Sequence, residues 1–189
     1  MRRSGRRLAG RRGAVAVEAA IIAPLLIALT FGTFEFGLLY RDNNILNQAA
    51  REGGRMGSTL PRDPTYHTVT ANVVAEALAG KLPDGTVETL VLFKADRHGQ
   101  PVSGNLDTCT TDCYRFTWDD ADQEFDLVNG TAWSYADQEA CGVPFDNDYL
   151  GVRIEGHHEW LTGILGDGKD ISANAVFRLE PVTSSEACK

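Results

Sequence analysis

From Ala14 to Tyr40 the chain runs for 27 residues with only two charges, Glu18 and Glu35. A helix of that length covers roughly 40 Å at 1.5 Å per residue, enough to cross a bilayer with some tilt. The run therefore predicts two different solvents for the segments on either side of it. Its acids are unusual, because an ionised carboxylate at hydrocarbon depth costs about 3 kcal/mol on insertion scales. Glu18 also stands just five residues after Gly13, where an arginine-rich leader ends. An acid at a short fixed distance from a potential new N-terminus points to processing and assembly rather than to a plain anchor.

Charge is divided sharply at the same place. Arg2, Arg3, Arg6, Arg7, Arg11 and Arg12 precede Gly13 without a single acid. The remainder holds 12 of the 18 basic residues against all 26 acidic ones, a net of −14. Arginines flanking an apolar run keep their side of it in the cytoplasm. The expected topology is a single pass through the cytoplasmic membrane, with the leader inside and the acidic bulk outside. An acidic bulk disfavours nucleic acid and anionic lipid as its partners. A cleaved secretory signal would have a shorter apolar region ending in a small-x-small site, which is missing here. The residues after each arginine pair do not support a twin-arginine signal.

Within the run, Pro24 is tolerated because a membrane helix can satisfy the freed carbonyl by local adjustment. Gly32, Gly37 and Ala28 offer small surfaces for close helix approach. The helical pattern continues beyond Tyr40, with Ile45, Ala49, Gly53 and Met56 on one face and Leu46 and Ala50 beside them. Gly53-Gly54 and Gly57 favour a stop. The predicted division is a basic cytoplasmic leader over 1–13, a transmembrane and stalk helix over 14–57, and an extracytoplasmic α+β domain over 58–189.

In that domain, Leu60-Pro61-Arg62-Asp63-Pro64 reads as a linker. Val69, Val73, Ala77 and Leu78 predict a second helix from Thr68, ending near Gly80, and Pro83-Asp84-Gly85 predicts a turn. Strands are expected at 87–94, 114–118, 150–155 and 176–180, which makes a small antiparallel sheet. Long loops are left at 98–112 and 119–148, the kind that carry function or are tied down by disulfides.

All four cysteines, Cys109, Cys113, Cys141 and Cys188, lie outside the predicted span, where an oxidising compartment favours disulfides. Cys109 is expected to pair with Cys113 in a tight loop, and Cys141 with Cys188 to tether the tail. The spacing lacks the paired CxxC clusters of a zinc site, so no metal is expected. Asp120, Asp122, Glu124 and Asp126 alternate like the start of a calcium loop, but Phe125 stands where such a loop needs glycine. His157 and His158 are adjacent on a strand and point to opposite faces, a poor arrangement for sharing an ion. Ser58 and Ser134 lie in no nucleophile-elbow context, and no phosphate-cradling glycine loop is present. Neither a cofactor nor a catalytic residue is expected.

The N-terminal third resembles the TadE-like family, minor pilins or pseudopilins of the tight-adherence (Flp-type) branch of type IV pilus systems. The resemblance rests on Arg12-Gly13-Ala14, Glu18, Pro24-Leu25-Leu26, Gly32-Thr33-Phe34-Glu35-Phe36-Gly37 and Gln48-Ala49-Ala50-Arg51-Glu52-Gly53. Val176-Phe177-Arg178-Leu179-Glu180-Pro181 resembles the end of the family's domain. Between roughly 60 and 170 nothing is carried over. The resemblance implies a pilin-like fold, cleavage by a prepilin peptidase between Gly13 and Ala14, and assembly with other pilin or pseudopilin subunits through Glu18, Pro24 and Glu35. Ala19 departs from the commoner aromatic after the glutamate. Cutting there would leave an ammonium on Ala14, four residues before Glu18 and on the same helical face. The competing expectations are an unprocessed membrane-anchored binding module or adhesin and, least supported, an anchored enzyme.

Overall fold

The computed structural model describes residues 7–131, 133–141, 147–163 and 165–182. Helix α1 spans Arg7–Ser58 and helix α2 spans Tyr66–Leu78. Strands β1 (Val87–Ala95), β2 (Cys113–Asp119), β3 (Glu124–Thr131), β4 (Tyr149–His158) and β5 (Lys169–Arg178) follow. They form one antiparallel sheet in the order β3-β2-β1-β4-β5. The fold is α+β, as expected. Two compact units divide the chain, Met1–Tyr40 and Arg41–Lys189.

The first unit is the apolar part of α1. Residues 13–31 are exposed along their whole length, with Ile21 72% and Leu25 62% accessible. Such a surface suits a hydrocarbon solvent. The hydroxyls of Thr30 and Thr33 donate to the carbonyls of Leu26 and Leu29, both at 2.8 Å. Each polar side chain is thereby satisfied without water, as a helix in lipid requires.

In the second unit, the C-terminal part of α1 is a core element rather than a stalk. Leu46, Ala49 and Ala50 are fully buried. Gly53, Gly54 and Gly57 lie inside the helix, and the stop falls after them at Ser58. Their role is close approach. A Cβ on Gly53 would overlap Val74 of α2, one on Gly54 would meet Phe177 of β5, and one on Gly57 would overlap Thr70 and press on Leu150 of β4. Helix α2 buries Tyr66, Thr70, Ala71, Val74 and Leu78. Tyr66 meets Tyr114 and Trp133 edge-on and donates its hydroxyl to the Trp133 carbonyl at 2.9 Å. Helix α1 thus lies against β4 and β5, while α2 reaches the β2–β3 side.

Strand β4 shows why the sheet has one inner face. Leu150, Val152 and Ile154 are fully buried, whereas Arg153 and Glu155 between them are partly exposed. The outer face carries its own small core of Val91, Phe93, Ala95, Cys109 and Cys113, flanked by Leu106, Tyr149 and Val176. The Cys109–Cys113 disulfide pins the loop before β2 over this cluster. The rest of the outer face is polar, with Glu155 bound to Arg153 at 2.8 Å and to Thr89 at 3.0 Å.

Three expectations need correction. Strand β3 and its hairpin occupy part of the segment read as a loop from 119. Asp119 accepts from the amide of Ala121, and Asp120 accepts from the Trp118 indole at 2.8 Å and the Gly85 amide at 3.0 Å. These carboxylates build the turn. The last strand begins at Lys169 rather than at 176 and ends before Leu179. Leu60-Pro61-Arg62-Asp63-Pro64 is more than a linker, because Arg62 donates through its backbone amide (2.6 Å) and guanidinium (2.9 Å) to the buried Gln138.

Gly57→Val should destabilise the external domain by about 1–3 kcal/mol through overpacking. Gln48→Ala, on the exposed side of the same helix, should leave it nearly unchanged. Urea unfolding followed by circular dichroism compares the two.

Candidate functional site

The residues expected at the processing end all lie in α1. Gly13, Ala14 and Glu18 are exposed, and a Cβ on Gly13 would touch nothing within 4 Å. The helix extends back to Arg7, so the Gly13–Ala14 bond lies inside it rather than at its start. Leucine, alanine and arginine are good helix formers, which accounts for the extension through the leader. A peptidase would have to open this turn before cutting. Ala14 and Glu18 stay one helical turn apart on one face. Pro24 lies inside the helix as expected. Glu35 is buried, in contrast to the exposed Glu18.

The disulfide residues divide in two. Cys109 and Cys113 are bonded and almost fully buried, as the short spacing predicts. Cys141 is also disulfide-bonded. Its expected partner, Cys188, lies outside the described residues. The loop containing Cys141 is held at its edges, since the amide of Glu139 donates to Asp148 at 2.9 Å and Lys94 forms an ion pair with Asp148 at 2.9 Å.

One polar pair was not anticipated. Nδ1 of His158, at the end of β4, lies 2.7 Å from Oδ2 of Asp42 in α1, and both side chains are about 5% accessible or less. With Asp42 ionised, the imidazole Nδ1–H donates to it. Arg41 stands 3.8 Å from the other carboxylate oxygen. Two residues this far apart in sequence leave no spacing signal. The clue was position: a carboxylate directly after the apolar run, and a histidine on the inward side of an alternating strand.

His157 points the other way and bonds Asp170 across the β4–β5 pair at 2.7 Å. That bond raises its pKa above the usual imidazole value. The opposite-face expectation for the two histidines holds. His67 stacks on Tyr114 with ring centroids 4.4 Å apart, and burial lowers its pKa. Among the described residues no group of three or more His, Cys, Asp or Glu side chains converges as a metal site. An open depression of about 310 Å³ on the outer face is lined by Glu88, Arg153, Glu155, Asp170 and Ser172, where Glu155 is already paired.

The family model for TadE-like proteins matches residues 13–55. This segment is TadE-like. The match opens at Gly13 and runs through the whole apolar part of α1 to the glycine seam. It connects the chain with the tight-adherence pilus system, and the helix is long and apolar enough to cross a membrane once. No curated protein and no solved structure matches the chain. The sheet and α2 therefore rest on their own physical description.

Asp42→Ala leaves a buried imidazole without its partner, which should cost about 1–3 kcal/mol. In a double-mutant cycle with His158→Phe, the two losses should fall short of additivity by about 0.5 kcal/mol or more. Urea unfolding of the four proteins measures this coupling.

Proposed function

We propose that the protein is a minor pilin or pseudopilin that takes part in assembling a tight-adherence pilus. A prepilin peptidase cuts it between Gly13 and Ala14 on the cytoplasmic side. The observation that carries this reading is the TadE-like match starting at Gly13, with Glu18 as the fifth residue of the resulting chain. Cutting removes six arginines and creates an ammonium on Ala14. That amine and Glu18 share a helical face, so they neutralise one another within a subunit or between neighbours. Pairing offsets much of the cost of holding the acid in lipid. A carboxylate near a helix N-terminus is favourable in any case. Loss of the leader also releases the positive end that held the helix in the membrane, freeing it to join other pilin subunits. The external domain then supplies the surface that distinguishes this subunit from its neighbours.

The intact mass of membrane-extracted protein, from cells with and without the peptidase, tests the cut. The expected mature chain begins at Ala14, and Gly13→Ala should leave the leader in place. An identical uncut mass in both strains would contradict processing and favour the anchored binding module.

A further inference from the structure

The hairpin between β4 and β5 ends in Trp160-Leu161-Thr162-Gly163-Ile164-Leu165-Gly166, seven residues without a charge between Glu159 and Asp167. Leu161 is 76% and Leu165 47% accessible. An isolated exposed leucine needs no explanation, but two on one uncharged tip do. The base of the hairpin is rigid on both faces. His158 is bonded to Asp42 on the inside and His157 to Asp170 on the outside. Trp160 packs edge-on against His158 with ring centroids 5.1 Å apart. Gly163, Gly166 and Gly168 take positive φ, which shapes the turn that carries the leucines outward.

Direction follows from three contacts. Along β4, Leu150 lies at Gly57, Val152 near Gly54 and His158 at Asp42, so the strand runs antiparallel to α1. From Leu150 to His158 a strand covers about 26 Å, and from Gly57 to Asp42 a helix covers about 22 Å, so the two lengths agree. Strand β4 thus heads towards the end of the domain where the apolar run enters. Asp42 is only two residues past Tyr40, about 3 Å along the helix. Two or three further residues of hairpin carry the tip about 7–10 Å beyond His158, past the end of the run.

We propose that this tip is a bilayer-seated anchor: Leu161 and Leu165 enter the outer edge of the membrane and Trp160 sits at the headgroup level. Tryptophan is favoured at that depth, and a short apolar element with charged flanks lies in the interface without spanning. Glu159 and Asp167 limit how far the tip sinks. The anchor rests on the reading that residues 14–40 span the membrane. It gives the external domain a second attachment beside α1, one that must be withdrawn whenever the subunit leaves the bilayer.

The test uses the full chain in phosphatidylcholine vesicles, with Trp118→Phe and Trp133→Phe leaving Trp160 as the fluorophore. Flotation of the vesicles reports the span separately. Trp160 emission should be lost chiefly to lipids bearing a nitroxide near the headgroup. Adding Leu161→Asp and Leu165→Asp should restore it while flotation and thermal unfolding stay unchanged. A reference protein carrying Trp118→Phe and Trp160→Phe keeps only the buried Trp133. Floating protein whose Trp160 is quenched no more than Trp133 of that reference overturns the anchor and leaves the span standing. Protein that fails to float overturns both. An unquenched Trp160, with paired leucine variants that shift sedimentation in detergent, would show that a second copy covers the tip and would also overturn the anchor.

Discussion

The seam where Gly53, Gly54 and Gly57 of α1 meet Val74, Phe177, Thr70 and Leu150 is the contact on which the external domain depends. Three missing Cβ atoms let one helix touch both α2 and the sheet at backbone distance. A helix pays in conformational entropy for each glycine, by roughly 1 kcal/mol against alanine. Here the loss is offset by buried partners on two sides. The same helix continues N-terminally as a surface of exposed isoleucine and leucine that suits lipid alone. One covalent element therefore works in two solvents, and the change from large apolar side chains to small ones marks where the solvent changes.

The sheet answers this seam on its inner face and solves a separate problem on the outer one. Only one face can be covered by two helices, so the opposite face would expose Val91 and Phe93. The loop ahead of β2 folds over that end and is closed by Cys109–Cys113, giving a second core that excludes water from the bond. The remaining outer surface is neutralised locally, with Glu155 set between Arg153 and Thr89. At the inner end of β4, Asp42 and His158 replace apolar packing by one buried hydrogen bond. Such a pair adds little net stability but fixes register, because any slip leaves a charge unpartnered.

Much of this was legible in residue patterns. The apolar run, the second helix and strands β1, β2 and β4 carry strong periodicities, and the structure differs from them only at their ends. Strand β3 escaped because Glu124 and Asp126 alternate with Phe125 and Leu127, and the acids drew attention from the alternation. The first half of β5 escaped for a related reason: Ala173 and Ala175 face inward but are too small to mark a strand. The glycines near 55 were read by their usual meaning as breakers, whereas their neighbours in space make them contact points. The short Cys109–Cys113 spacing was informative because local geometry decides it. Asp42 and His158 were not, because their pairing depends on the register of a whole strand against a helix.

The account stands or falls on whether residues 41–58 of α1 belong to the core of the external domain. Two forms of that domain, beginning at Arg41 and at Thr59 and both prepared with their cysteines oxidised, provide the comparison. The longer form should unfold in one cooperative transition with a well-defined near-ultraviolet circular dichroism spectrum. The shorter form, lacking Leu46, Ala49, Ala50 and the glycine seam, should show neither. Matching spectra and midpoints for the two forms would contradict the account and return that part of α1 to the role of a stalk.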